Sequence, residues 1–188
     1  FDFDLYQTRF PSSLKYAQHP FCRNSLATLH GNTVKDTAWY HWRYLIKRCL
    51  AVLKTNTLVD YDKLSIIGYE TGADLSWIIA GEEKKLSAVI PIGGGGAICK
   101  SRPSIPEESY DAEAATNAFA IGVSAEIYAK TMSADLLFIP FTNSRYFPFS
   151  YANDIFSIAT SKNKQMLVDV NLGKQLSQSS FDYLLHRL

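Results

Sequence analysis

The sequence predicts an α/β fold, with a doubly wound and mostly parallel sheet, and three observations support this prediction. Short apolar runs of strand length alternate with stretches of helical length from residue 37 onward. The runs are apolar at successive positions, as in strands that helices cover on both faces. Glycines end two of them, at Gly68 and at residues 93–96. Right-handed crossovers then place the carboxyl ends of the strands along one edge, where such folds carry their sites.

Length and composition predict one globular domain. The chain has 188 residues, of which 47% are hydrophobic and 20% charged, and its net charge is +1. We expect a single domain over residues 1–188, with an irregular segment at 1–36 and the core at 37–188. The balanced charge gives no indication of nucleic-acid binding, and no apolar run reaches the ~20 residues that cross a bilayer. Because the chain begins at Phe1, we interpret it as a processed or trimmed product.

The first predicted helix runs from Thr37 to Leu53, and Asp36 or Thr37 caps its start. Its apolar residues recur at steps of three and four, which is the helical period. They are Trp39, Trp42, Ile46, Cys49, Leu50 and Leu53.

The remaining elements follow from apolar runs and from the glycines and polar turns between them. The predicted strands are Leu64–Gly68, Ser87–Ile92, Leu136–Phe141 and Met166–Val170, and Phe3–Phe10 and Ser25–His30 are two further strand candidates. The other predicted helices are Thr71–Ala80, Ala112–Lys130, Phe149–Ala159 and Ser179–Leu188.

The most informative segment is Gly68-Tyr69-Glu70-Thr71-Gly72, which joins a β-branched run to a helix. A strand that enters a helix through Gly-x-Ser-x-Gly forms a nucleophile elbow, a strained turn that raises the central side chain at the sheet edge. We expect both glycines to be required because backbone and helix approach too closely there for a Cβ. The central residue of this frame is Glu70 instead of serine.

Around that frame the chain resembles the acetyl-xylan-esterase and cephalosporin-deacetylase-like (dienelactone-hydrolase-like) branch of the α/β hydrolases. The resemblance covers roughly residues 31–176 and implies an α/β-hydrolase fold that lacks part of its N-terminal strands. It also implies carboxylic-ester hydrolysis and favours an extracytoplasmic location. The residues that carry it are Asp36–Trp42, Val59–Leu64, Leu86–Gly95 and Leu136–Ser144.

The resemblance implies that all three catalytic positions have changed. The serine position holds Glu70, the acid position holds Ser144, and Lys174 or Gln175 holds the histidine position. A hydrolytic triad needs an imidazole to take and return the proton of the nucleophile near pH 7. The histidines are His19, His30, His41 and His186, so none lies between the elbow and residue 186.

These replacements predict a non-catalytic hydrolase-like domain that serves as a binding or assembly module. The alternative is an active esterase or deacetylase with a rearranged catalytic site, for example one with Glu70 as a carboxylate nucleophile. Glu70 and Lys174 form a substitute ion pair in one interpretation, and in another each reaches solvent independently. The expected cleft lining is Tyr69, Thr71, Gly94, Tyr146 and Phe147. The aromatic rings that follow Ser144 in the sequence either stack on sugars or belong to the core.

No cofactor and no metal is expected. No two histidines have the spacing of metal ligands, and the run Gly93–Gly96 lacks the Lys-Ser/Thr of a phosphate-binding loop. The expected partner is a carbohydrate or another protein. The few N-terminal strands would leave a sheet edge open, so a partner chain or a missing segment is expected to cover it. Cys22, Cys49 and Cys99 are expected to be free, buried thiols, and the alternative is one disulfide and one spare thiol.

Overall fold

The computed structural model describes residues 38–95, 125–143, 149–170 and 176–186. Its strands are β1 Ser65–Tyr69, β2 Ala88–Ile92, β3 Asp135–Phe138 and β4 Lys164–Met166. Its helices are α1 Ala38–Thr55, α2 Thr71–Glu82, α3 Ala125–Ala129, α4 Phe149–Ile158 and α5 Gln178–Leu185, and one 3-10 turn spans Tyr61–Lys63. Helix and strand therefore alternate in the predicted order.

The four strands form one parallel sheet in the order β1-β2-β3-β4. Ile67 of β1 is in register with Ile90 of β2, and Leu136 of β3 with Lys164 of β4. Bridges from Ile92 to Ile139 and from Phe141 to Asp169 extend the pairing past the regular strands. All carboxyl ends therefore lie along one edge, as predicted.

Helices cover both faces of this sheet. On one face, α1, α2, α3 and α4 share a buried cluster that includes Leu50, Trp77, Val89, Phe138 and Ile155. On the other face, Leu184 of α5 packs in a second cluster with Ile90, Ile92, Ile139 and Phe141. The predicted fold class is confirmed in the described residues.

Helix α2 is the best-buried helix, because it lies between the sheet and its neighbours α1 and α3. Trp77, Ile78 and Ile79 are completely buried, so the helix is apolar around most of its circumference. The Trp77 ring meets Phe138 of β3 edge to face, with 5.4 Å between ring centroids. This packing holds the first turn of α2 in place above the end of β1.

Two of the predicted strands differ from the observed ones by three residues or more at one end. The run Leu136–Phe141 pairs regularly only as far as Phe138. Pro140 has no N–H to donate, although its carbonyl oxygen accepts the N–H of Asp169 at 3.0 Å. The predicted strand Met166–Val170 instead spans Lys164–Met166 and rejoins the sheet only at the Asp169 bridge.

The prediction that Cys49 is buried is wrong, since its side chain is a free and exposed thiol. Helix α1 buries Leu50 and packs Ile46 against the core. Successive helical residues lie 100° apart, so Cys49 points well away from the face that carries Leu50. The apolar pattern of α1 is therefore wider than the face that it buries.

Other expectations fall outside the described residues: the segment 1–36, the strand candidates Phe3–Phe10 and Ser25–His30, Cys22 and Cys99. The predicted helix Ala112–Lys130 is described from residue 125, where α3 begins. No helix within the described ranges is both long and apolar enough to cross a bilayer.

Candidate functional site at the strand-to-helix turn

Glu70 occupies the turn between β1 and α2, as the sequence predicts. Its φ of 47° and ψ of −110° make it the single non-glycine residue with positive φ in the described part of the chain. The N–H of Glu70 donates to the Ile92 carbonyl at 2.8 Å, and its own carbonyl accepts the N–H groups of Ala73 and Asp74. This conformation lowers the stability of the fold by about 1–3 kcal/mol at a non-glycine residue, and it persists where the surrounding structure imposes it.

Gly68 permits this turn because it has no side chain. A Cβ at Gly68 would lie 2.7 Å from the backbone nitrogen of Ala73 and would also collide with the carbonyl of Gly72. The first turn of α2 thus rests directly on β1. At Gly72, by contrast, an added Cβ would have no atom within 4 Å. The expectation that both glycines are required by close packing is wrong for Gly72.

Gly94 lies against the same turn from the end of β2. A Cβ there would be 2.5 Å from the Glu70 carbonyl oxygen and 3.1 Å from Oδ1 of Asp74. The Gly94 carbonyl oxygen accepts a hydrogen bond from Nε1 of Trp77 at 3.4 Å. Gly94 and the α2 helix therefore fix the backbone of Glu70 from two sides.

An aromatic pair adjoins the turn on the α5 face of the sheet. The ring of Tyr69 meets Phe141 edge to face, with 5.9 Å between centroids. Gly93 has a φ of 74°, and a Cβ on it would lie 2.7 Å from Cδ2 of Phe141. Tyr69 remains 41% exposed. Burial, followed by the charges of Glu70 and Asp169, raises the pKa of its phenol.

Asp169 holds the start of α5 at this edge. Its side chain is buried, and Oδ2 accepts the backbone N–H of Ser177 at 2.8 Å and its hydroxyl at 2.9 Å. Ser177 is the N-cap of α5, and its Oγ accepts the N–H of Ser180. A carboxylate at a helix N-terminus also interacts favourably with the helix dipole.

Sequence reasoning missed the two buried carboxylates at this edge, Asp74 and Asp169. A signal existed for each. Asp169 interrupts the apolar run of residues 166–170, and Asp74 falls in the first turn of a helix whose next residues are apolar. A charge inside an apolar element usually has a bonding role, because burying it unpaired is costly.

Four of the predicted site residues lie at or beside the turn between β1 and α2. Glu70 and Thr71 form the turn and the start of α2, while Tyr69 and Gly94 lie at the ends of β1 and after β2. Ser144, Lys174, Gln175, Tyr146 and Phe147 lie outside the described residues.

The described residues include two histidines, and neither belongs to the turn itself. His41 belongs to α1, and His186 follows α5. Helix α5 starts beside Asp169 at the carboxyl edge, and its residues rise 1.5 Å each, so His186 lies about 13 Å further along. Within the described ranges, no three His, Cys, Asp or Glu side chains are grouped to hold a metal ion.

Solved structures with a similar fold include several esterases. Acetyl xylan esterase 1 from Thermoanaerobacterium sp. JW/SL YS485 superposes with a TM-score of 0.67 at 14% identity, covering 86% of this chain and 56% of that one. An acetyl xylan esterase from Paenibacillus sp. R4 gives a TM-score of 0.66 at 11% identity, covering 82% and 53%. A metagenome-derived lipolytic enzyme gives a TM-score of 0.58 at 18% identity, and the match covers 87% of this chain and 74% of that one.

The parallel sheet, the strained turn and these likenesses together define an α/β-hydrolase fold. The chain spans little more than half the length of the two acetyl xylan esterases. No protein-family model matches it, and no curated protein matches it by sequence. At these identities the likeness concerns the fold alone.

Proposed function

We propose that this protein is a non-catalytic hydrolase-like domain that acts as a binding or assembly module. The observation that carries the proposal is Glu70 on the strained turn, at the place where the fold presents its nucleophile. A carboxylate there needs a base to activate water in a second step. No histidine lies between residue 70 and residue 186 of the chain.

The former active-site cleft is the proposed binding surface. Tyr69 offers a partly exposed ring beside Glu70, and an aromatic face next to a carboxylate suits a sugar, which presents C–H groups and hydroxyls together. The acetyl xylan esterases of similar fold support a carbohydrate as the ligand. Calorimetric measurement of xylan-oligosaccharide binding tests the proposed ligand. Tyr69→Ala should abolish the binding. Tyr183→Ala, on α5, is the control and should leave the binding unchanged.

A second candidate is an active hydrolase with a rearranged site. The position of Glu70 favours it, because the fold presents its nucleophile on this turn and a carboxylate can act as a nucleophile. Hydrolysis of a chromogenic acetyl ester distinguishes the two candidates. We expect no rate above that of buffer, and turnover that Glu70→Gln abolishes with the fold intact would establish the enzyme.

We further propose that Lys174 pairs with Glu70, with its ammonium within about 4 Å of the carboxylate and Ser144 in hydrogen-bond reach. Pairing would offset the desolvation that each charge incurs in a cleft. A double-mutant cycle with Glu70→Gln and Lys174→Met should give a coupling of about 1 kcal/mol in the free energy of unfolding. A coupling near zero would remove this pair from the proposal.

A further inference from the structure

The outer side of β4 is open within the described ranges. Strand β4 is the last in the order β1-β2-β3-β4, and no described strand lies beyond it. Its pairing keeps one register past the regular strand, since Phe138 pairs with Met166. Three residues further along both strands, Phe141 pairs with Asp169. No residue is inserted between these pairs, so the peptide groups alternate between the two sides of the strand.

This alternation fixes which groups point outward. Both the N–H and the carbonyl of Asp169 bond to the β3 side, so the peptide groups of Val168 point away from the sheet. Leu167 packs with the cluster under α5, and Met166 packs with the cluster on the opposite face. Val168 and Val170 lie on the same face as Met166. Their side chains are 37% and 76% exposed. We define the β4 edge as Met166, Val168 and Val170.

The charges that could protect this edge are turned inward. Proteins usually block an open edge with lysine, proline or a bulge. Residues 164–170 contain no proline, and Lys164 and Asp169 are their charged residues. Nζ of Lys164 donates to the carbonyl oxygens of Phe156 and Ala159 at the end of α4, at 2.8 and 3.0 Å. The Asp169 carboxylate bonds to Ser177 at the start of α5. The edge therefore presents peptide groups and apolar side chains, with neither charge held across it.

We propose that a second copy of this chain pairs with the β4 edge in antiparallel orientation, about a two-fold axis through Val168. Such an axis joins the same surface of both copies and extends one sheet into the other. Each Val168 then lies opposite its counterpart and exchanges two backbone hydrogen bonds with it. Val170 lies opposite Met166 of the second copy, so every pair is apolar and no like charges meet.

The pattern of the edge selects this register and this occupant. Met166, Val168 and Val170 are apolar at every second position, so the edge matches itself when it is read in the opposite direction. An axis through Met166 would instead set Lys164 opposite Val168, against an apolar side chain. The match is with the chain's own sequence, which favours a second copy over an unrelated strand. The inference concerns the opposite end of the sheet from Glu70 and does not depend on the proposed function.

The molar mass in solution, measured by sedimentation over a range of protein concentrations, tests the pairing. We expect the mass to rise to that of two chains. Val168→Lys should weaken the dimer by about 100-fold, because it places two ammonium groups opposite each other on the axis. Val52→Lys is the matched control, since Val52 is 64% exposed on α1, and it should leave the dimer unchanged. Circular dichroism checks that both variants fold.

Oxidative cross-linking tests the register. Val168→Cys should form a disulfide between copies, because opposed residues of a hydrogen-bonded pair have Cα atoms about 5.5 Å apart. Val170→Cys should not, because its counterpart lies four residues, or about 14 Å, further along the strand. The unchanged chain is the control for the native thiols.

Three results would overturn the proposal. A mass of one chain at every concentration would mean that no second copy binds. A dimer that Val168→Lys leaves intact would assign the contact to another surface. A disulfide through Val170→Cys and none through Val168→Cys would exclude an axis at Val168.

Discussion

The backbone N–H of Glu70 donates to the carbonyl oxygen of Ile92 at 2.8 Å, one residue beyond the end of β1. This bond continues the β1–β2 ladder into the turn, so the sheet itself holds Glu70 at its carboxyl edge. Gly94 packs against the Glu70 carbonyl from the other strand. The conformation of the turn therefore depends on its neighbours more than on the residue that occupies it.

We expect the two glycines of the elbow frame to respond in opposite ways to alanine. Gly68→Ala should lower the free energy of unfolding by about 3 kcal/mol, because its Cβ would meet immovable backbone of α2. Gly72→Ala is the matched control within the same frame, where space is open. It should raise stability by about 0.5–1 kcal/mol through helix propensity. Urea unfolding measures both, and equal losses would contradict the packing described for Gly68.

The strain at Glu70 predicts an unusual effect of glycine. Glu70→Gly should be more stable than Glu70→Ala by about 1 kcal/mol, because glycine adopts a positive φ without steric cost. Glycine normally destabilises a folded chain relative to alanine, so the sign is diagnostic. Chemical denaturation of the two variants gives the difference. A more stable alanine variant would show that the backbone at residue 70 is not strained.

Asp169 should contribute to stability through Ser177. Asp169→Ala leaves the N–H of Ser177 without its acceptor and removes one of the partners of the Ser177 hydroxyl, which should cost about 2 kcal/mol. Asp182→Ala, on the same helix, removes an exposed carboxylate bonded to Gln178 and should change stability by less than about 0.5 kcal/mol. Thermal unfolding followed by circular dichroism compares them, and equal effects would exclude an anchoring role for Asp169.

The sequence predicted the order of the described strands and helices because glycines and polar turns separate their apolar runs. It predicted the position of Glu70 because the Gly-x-x-x-Gly frame lies between a β-branched run and a helical stretch. It failed at Cys49 because a periodic pattern does not reveal how wide a face the helix buries. It missed Asp169 because the partner, Ser177, lies beyond the strand and meets it only in the folded chain. It did not distinguish Gly68 from Gly72, since the difference lies in the space around each Cα.

The rate of 4-nitrophenyl acetate hydrolysis near pH 7 tests the central claim most directly. The claim is that the elbow carries Glu70 as a non-catalytic residue. We predict that the purified protein, its Glu70→Gln variant and a heat-denatured sample release nitrophenol at the same rate, because the chain has no histidine between residues 70 and 186 to move the proton. A rate above the denatured control that Glu70→Gln abolishes, in a variant with unchanged circular dichroism, would contradict the claim and identify Glu70 as a nucleophile or base.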